Sequence, residues 1–125
     1  MSDRVTAARA VRAVIEKYVK GSRDGDVALL RSIFHPGAVM VGYLGGNLTT
    51  GSPEPFFEHV ARSGPAGAGY VAEIADLQVD GRTASATLFE SGFAGLDFVD
   101  RFHLIEEGGA WRIASKLFHH DDPRA

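Results

Sequence analysis

The chain has 125 residues, of which 45% are hydrophobic and 23% charged, and it contains no cysteine. This length is sufficient for one domain, residues 1–125, with a core that needs neither disulfides nor a metal, and the lack of cysteine excludes thiol chemistry. The net charge of -3 and the dispersed basic residues argue against nucleic acid or an anionic membrane as a partner. We expect a cytoplasmic protein, because the N-terminal segment lacks the apolar core of a secretory signal and no apolar run approaches the ~18 residues of a membrane span.

The first third of the chain has helical periodicity. Apolar residues recur on one helical face between residues 3 and 20, which predicts an amphipathic helix that ends near Gly21. Asp26 is a suitable N-cap for a second, shorter helix, which Pro36 and Gly37 are expected to close.

A strand and a third helix are predicted next. Residues 38–44 are rich in β-branched residues and favour a buried strand, and a turn follows at 45–47. Ser52 and Pro53 are typical of a helix start, and the residues 63–69, which contain glycine and proline, form a flexible connection.

From Tyr70 onward the periodicity changes to two. Asp80–Gly81 and Glu107–Gly109 have the composition of hairpin turns, so three or four long antiparallel strands are predicted. Helices first and a meander of strands afterwards indicate an α+β domain, in which the helices cover one face of a curved, mainly antiparallel sheet.

One predicted strand carries a carboxylate in the middle of an apolar stripe. Alternation places Leu96, Phe98, Asp100, Phe102 and Leu104 on one face. An ionised carboxylate is costly to bury, so such a group is paired, protonated or placed beside a ligand cavity. A structural role, in which a neighbouring cation or backbone amide satisfies the carboxylate, remains open beside a functional one.

The order of elements, together with YVKGSRDGD, LLRSIFHPGAVM and the final GAWRIASKLF, resembles the nuclear transport factor 2-like, cone-shaped α+β fold over nearly the whole chain. Within that superfamily, GYLGG, GSPEPFFEHV, FVDRFHL and WRIASKLFHH most resemble the Putative lumazine-binding family of small bacterial proteins. The resemblance implies a sheet wrapped around an apolar pocket, and a homodimer formed through the outer sheet face. The superfamily includes binding proteins, isomerases, dehydratases and polyketide cyclases, so the fold alone fixes no reaction.

A more distant resemblance is to ketosteroid isomerase, in which a tyrosine and a protonated aspartate form an oxyanion hole and another aspartate is the base. Tyr18 in IEKYVKG matches that tyrosine, and Asp100 in FVDRF matches the proton-donating aspartate. The base would fall near Gly42, which has no proton-accepting side chain. The resemblance therefore implies two of the three parts and does not support steroid isomerisation by that mechanism.

The last strand contains a possible partner for Asp100. Alternation alone does not decide its inward face, but the fold resemblance favours Ala114, Lys116 and Phe118 on the pocket side. Trp111, Ile113 and Leu117 would then face outward and form a dimer contact. Lys116 could either neutralise Asp100 in a buried salt bridge or leave Asp100 and Tyr18 as a catalytic pair.

Two further side chains are candidate bases. Glu90 shares strand parity with Leu88 and is expected to point inward near the open end of the pocket, although an exposed glutamate at a strand end is the simpler alternative. His35 lies at the end of the second helix, where it could stabilise the helix terminus or act as a base or ligand contact.

No metal site or cofactor motif is predicted. The sequence His119–Asp122 contains metal-ligating residue types, but neighbouring residues on a strand point to opposite faces, so we interpret it as a solvated tail.

These observations favour a protein without cofactor that binds a small hydrophobic or aromatic molecule, with Asp100 and Tyr18 as polar anchors. One alternative is an isomerase, dehydratase or cyclase in which Asp100 and Tyr18 donate protons and His35 or Glu90 is the base. Another is a protein-interaction adaptor that uses the open sheet face. The expected ligand contacts are Phe34, Tyr43, Phe57, Glu90, Phe98, Phe102, Lys116 and Phe118.

Overall fold

The computed structural model describes residues 3–121. The helices are α1 (Arg4–Asp24), α2 (Val27–Ile33) and α3 (Glu54–Ser63), and the strands are β1 (Phe34–Leu44), β2 (Asn47–Thr49), β3 (Val71–Asp80), β4 (Thr83–Phe93), β5 (Leu96–Glu107) and β6 (Ala110–His120). The strands form a sheet in the order β2-β1-β6-β5-β4-β3, in which β1 runs parallel to β6 and the other neighbours are antiparallel. This arrangement confirms the predicted α+β class with helices packed on a curved sheet.

Helix α1 is longer than its periodicity predicts. It ends at the left-handed C-cap Gly25 (φ 69°), so the predicted end near Gly21 is wrong. Gly21 lies inside the helix, where a Cβ atom would approach Leu30 Cγ to 2.7 Å. The absent side chain therefore lets α2 pack closely against α1.

The junction between α2 and β1 also differs from the prediction. The helix ends at Ile33 and the strand begins at Phe34, before Pro36. Proline disfavours helical geometry at the residue before it, so His35 adopts the extended conformation and the chain enters the sheet directly. Within residues 3–121, no helix has the length and apolar character needed to cross a membrane.

An irregularity in β6 determines which of its side chains face the helices. Ser115 is paired with His103, but Ile113 is paired with Leu104, so Ala114 is an extra residue. Such a bulge reverses the alternation. Ile113 is consequently fully buried, and the prediction that it faces outward is wrong.

The core lies between the helices and the concave face of the sheet. It contains apolar residues from all three helices and from β1, β4, β5 and β6. Burial of each large apolar side chain contributes roughly 1.5–3 kcal/mol to the stability of the fold. Its fully buried members include Val11, Ile15, Tyr18, Leu30, Val60, Leu88, Phe102, Leu104 and Ile113.

Candidate functional site

The apolar stripe predicted around Asp100 is present in β5. Asp100 is 0% exposed, and Phe102 and Leu104 are buried on the same face. Asp100 lies opposite Leu88 on β4 and Phe118 on β6, so large apolar side chains flank the carboxylate on both sides.

A tyrosine hydroxyl links Asp100 to Lys116. Lys116 Nζ donates a hydrogen bond to the Tyr18 hydroxyl at 2.6 Å, and that hydroxyl lies 3.5 Å from Asp100 Oδ2 in donating geometry. No direct ion pair joins Lys116 and Asp100 within 4.0 Å in the described part of the chain. Of the two alternatives left open by the sequence, the direct salt bridge is absent, and a chain of three groups with Tyr18 in the middle takes its place.

Tyr18 is held in place by aromatic packing. Its ring stacks on Phe56 with centroids 5.7 Å apart, and it meets the Phe102 ring edge-on at 4.9 Å. Burial, followed by the negative charges of Asp100 and Glu90, raises the pKa of Tyr18, so its hydroxyl stays protonated. The hydroxyl can therefore accept from Lys116 and donate to Asp100 at the same time.

Glu90 is a second buried carboxyl group beside Asp100. It is 3% exposed and accepts a hydrogen bond of 2.5 Å from the Tyr70 hydroxyl. Burial raises the pKa of Glu90, hydrogen bonding to Asp100 and the charge of Asp100 raise it further, and Lys116 and Tyr70 act in the opposite direction.

The two carboxyl groups are complementary when one of them is protonated. Asp100 Oδ1 is buried without a hydrogen-bond donor among the described residues. Two carboxylates cannot donate to each other, but a proton on Glu90 supplies the missing hydrogen. A protonated Glu90 would therefore satisfy the buried Asp100 oxygen that has no other donor.

A cavity of about 290 Å³ opens in front of this network, between α3 and the sheet. Its wall is mostly apolar and aromatic, with a few polar groups. It is lined by Met40, Leu44, Thr49, Pro55, Phe56, His59, Arg62, Glu90, Phe93, Ala94, Leu96, Phe98, Lys116 and Phe118. Other hollows, such as the one between β3, β4 and β5 around His103, are more open and are lined by no buried ionisable side chain.

The polar groups have different positions relative to the cavity. Glu90 and Lys116 line it, whereas Asp100 and Tyr18 are not among its lining residues and lie behind them. Lys116 Nζ is 4.1 Å from the Phe56 ring centroid, which places the ammonium group over an aromatic face. A ligand would therefore meet Glu90 and Lys116 directly and Asp100 only through them.

The predicted phenylalanine contacts divide into two groups. Phe98 and Phe118 line the cavity. Phe34, Phe57 and Phe102 are buried in the core instead, so the prediction that they contact ligand is corrected. The Phe34 and Phe57 rings pack edge-on at 5.3 Å, and Phe102 supports Tyr18 as described.

Tyr43 lies outside the cavity. Its side chain is 52% exposed. Alternation along β1 turns Met40 and Leu44 toward the cavity and Tyr43 away from it. The prediction that Tyr43 lines the pocket is therefore wrong.

His35 is separated from the cavity. Its Nδ1 accepts from the Gly37 backbone N–H at 2.9 Å, and its Nε2 lies 3.3 Å from Glu107 Oε1 at the end of β5. These contacts fix the β1 entry and leave His35 outside the cavity lining. The geometry gives His35 a structural role and does not support it as a base.

Gly42, at the position of the missing base, is enclosed. A Cβ atom there would overlap the backbone oxygen of Phe118 and lie 2.6 Å from the Phe118 ring. No side chain, and hence no carboxylate, fits at this position without moving β6 away from β1.

Several cavity residues are not predicted from the sequence. On α3, Phe56, His59 and Arg62 recur every three residues, which places them on one side of the helix, and this spacing is a signal that could have identified them. Phe93 and the Glu90 partner Tyr70 come from a strand end and a loop, where no periodicity applies.

The histidines at the end of β6 have separate partners. The Gly45 backbone N–H donates to His120 Nε2 at 2.9 Å, whereas His119 Nε2 lies 3.5 Å from Asp121 Oδ1. Asp122, the last member of that predicted tail, lies outside the described residues.

Comparison with known proteins identifies the family of this chain. The family model described as "Putative lumazine-binding" matches residues 6–119. The chain belongs to this family. The fold described above is nuclear transport factor 2 (NTF2)-like, and the name of the family refers to binding of a small molecule.

Two individual proteins are similar to this chain over most of its length. An aldolase from Cladobotryum sp., FrzH, is 29% identical over 111 residues, which are 88% of this chain and 88% of the aldolase. An NTF2-like protein of unknown function from Shewanella baltica superposes with a TM-score of 0.89 at 27% identity, covering 98% of this chain and 99% of that one.

The likeness to ketosteroid isomerases concerns the fold. A ketosteroid isomerase-like protein from Erwinia carotovora atroseptica is 17% identical and has a TM-score of 0.68, with 93% of this chain and 97% of that one covered.

Proposed function

We propose that this family member is an enzyme without cofactor that acts on a small aromatic or hydrophobic carbonyl compound. It removes a proton from the carbon next to the carbonyl group, in an isomerase or aldol-type reaction. The observation that carries the proposal is the pair of buried ionisable side chains, Glu90 and Lys116, at the wall of an otherwise largely apolar cavity. Buried ionisable groups are costly, and a cavity that only held an apolar ligand would not need them.

Each group has a distinct role in this reaction. Glu90 takes the proton from the carbon next to the carbonyl group while its own proton passes to Asp100 Oδ1. The electron pair of the broken C–H bond moves onto the carbonyl oxygen, and Lys116, which has donors left beyond the one used by Tyr18, stabilises the resulting enolate. Return of the proton from Asp100 through Glu90 to a different carbon of a conjugated enolate gives an isomer. When the enolate instead attacks a second carbonyl carbon, the alkoxide that forms takes this proton and an aldol product results.

The aldolase relative is consistent with this chemistry, because aldol reactions begin with the same enolate. The raised pKa of Glu90 also makes its carboxylate a stronger base than that of an exposed glutamate.

The experiment that tests the proposal is hydrogen–deuterium exchange at the methyl group of 2-acetylnaphthalene in D₂O, followed by proton NMR. We expect the protein to accelerate exchange, Glu90→Gln to reduce the acceleration at least a hundredfold, and Lys116→Met to reduce it strongly. Glu73→Gln is the matched control, because it makes the same chemical change at an exposed position of β3.

Binding without turnover is the second candidate function, and the enclosed Gly42 favours it, because the position of the isomerase base cannot carry a carboxylate. Binding of 2-acetylnaphthalene without any acceleration of exchange would support this candidate and contradict the catalytic one.

A further inference from the structure

The cavity contains a cationic group that the proposed reaction does not use. Arg62 on α3 lines the cavity, and no carboxylate lies within 4.0 Å of it in residues 3–121. Glu90 is the acidic side chain of the lining, against the two basic side chains Lys116 and Arg62. The balance of charge around a bound ligand is therefore positive.

Helix α3 orders its cavity-facing residues from the interior to the opening. Phe56 is 6% exposed and contacts Lys116, His59 is half-buried one turn further, and Arg62 is exposed in the last turn. Six residues separate Phe56 from Arg62, which corresponds to about 9 Å along the helix at about 1.5 Å per residue.

We infer that the natural substrate is an aromatic or hydrophobic carboxylic acid, with its carbonyl group between Glu90 and Lys116 and its carboxylate bound by Arg62 at the opening. The inference rests on the proposed function for the orientation of the substrate. The apolar part between the two ends then spans about 9 Å and packs against Phe56, Phe93 and Phe98. A guanidinium group suits the outer position, since it binds a carboxylate through two parallel hydrogen bonds.

The test uses a rigid probe and its neutral isostere. In 6-acetyl-2-naphthoic acid the acetyl and carboxylate groups are at opposite ends of one aromatic body, and 6-acetyl-2-naphthamide differs only in lacking the charge. We expect calorimetry at pH 7 to show at least tenfold tighter binding of the acid. Arg62→Gln should remove this preference and leave the affinity for the amide within twofold.

Arg9→Gln is the matched control, because it removes the same charge from an exposed position of α1 outside the cavity. Equal binding of the two probes by the unmodified protein, equal weakening of both by Arg62→Gln, or binding of neither would overturn the inference. A preference that survives Arg62→Gln but disappears in Lys116→Met would also overturn it, since the acid would then bind in the reverse orientation.

The outcome is separable from that of the catalytic proposal. An Arg62-dependent preference for the acid without methyl exchange would support the binding mode and contradict catalysis. Exchange of 2-acetylnaphthalene without any preference for the acid would do the opposite.

Discussion

Glu90 is the residue whose chemistry depends most on its neighbours. In water a glutamate is ionised at neutral pH, but here burial, Asp100 and the surrounding apolar residues favour the protonated form. In its protonated form the side chain can supply the hydrogen that Asp100 Oδ1 lacks, and in the proposed reaction it also exchanges a proton with the substrate.

This environment predicts a pH dependence of stability. The pKa of Glu90 is raised in the folded state above its ordinary value of 4.5, so between these two pKa values the unfolded chain binds fewer protons at this group. The stability that Glu90 contributes is fully present below pH 4.5 and is lost as the pH rises through the pKa of Glu90 in the folded state. Each unit of difference between the two pKa values corresponds to about 1.4 kcal/mol.

Glu90→Gln should remove this loss, because glutamine resembles the protonated form. Urea unfolding between pH 5 and 9 should show the unmodified protein losing free energy of unfolding relative to Glu90→Gln as the pH increases. Parallel curves for the two proteins would refute the raised pKa.

Tyr18 is predicted to couple Lys116 to Asp100. In Tyr18→Phe the ring packing remains, but the ammonium group loses its hydrogen-bond acceptor, and we expect a loss of roughly 1–3 kcal/mol in the free energy of unfolding. A double-mutant cycle with Lys116→Met and Asp100→Asn should give a coupling energy in the normal protein that is reduced in the Tyr18→Phe background. Coupling of the same size in both backgrounds would show that the hydroxyl does not transmit it.

At the scale of elements, the pairing of β1 with β6 depends on Gly42. We expect Gly42→Ala to lower the free energy of unfolding by about 1–3 kcal/mol or more, because the added methyl group overlaps Phe118. Gly37→Ala on the same strand is the control, since its Cβ atom would meet only the His35 ring at 3.4 Å. Equal melting temperatures for the two variants would contradict the close approach of these strands.

The elements differ in how far their sequence predicts them. Alternation in β4 and β5 is regular around Leu88 and Asp100, and it correctly predicts that Glu90, Asp100 and Phe102 point inward. In β6 alternation does not predict which side chains are buried, because the bulge at Ala114 interrupts it. Ala114 is neither glycine nor proline, so the sequence contains no signal for this bulge.

The candidate site was predictable only in part for a similar reason. The burial of Asp100 follows from its own strand, but its link to Lys116 passes through a tyrosine on a helix 82 residues away from Asp100. Only the packing of α1 on the sheet determines that three groups meet. The separation of core aromatic residues from cavity aromatic residues likewise depends on contacts between different elements, such as that of Phe34 on β1 with Phe57 on α3.

At the scale of the whole molecule, the outer face of the sheet carries exposed apolar side chains. Val39, Phe89 and Leu117 are 47%, 49% and 49% exposed on strands β1, β4 and β6. The homodimer predicted from the fold resemblance would cover these side chains.

We therefore predict that Leu117→Asp converts a dimer into monomers, as measured by sedimentation velocity, because the charge would be buried in the interface. Val5→Asp is the matched control, since Val5 is 61% exposed on α1, away from this face. A dimer that persists in Leu117→Asp would exclude this interface. Ile113 is unsuitable for the test because its substitution would disrupt the core.

The bulge at Ala114 has a consequence for both the core and the cavity. It divides β6 into a part whose alternation serves the core, with Ile113, and a part whose alternation serves the cavity, with Lys116 and Phe118. Ile113 and Lys116 are three residues apart and would lie on opposite faces of a regular strand, but the extra residue lets both face the interior. One inserted residue, whatever its side chain, therefore allows the same strand to close the core and to bring an ammonium group to the cavity.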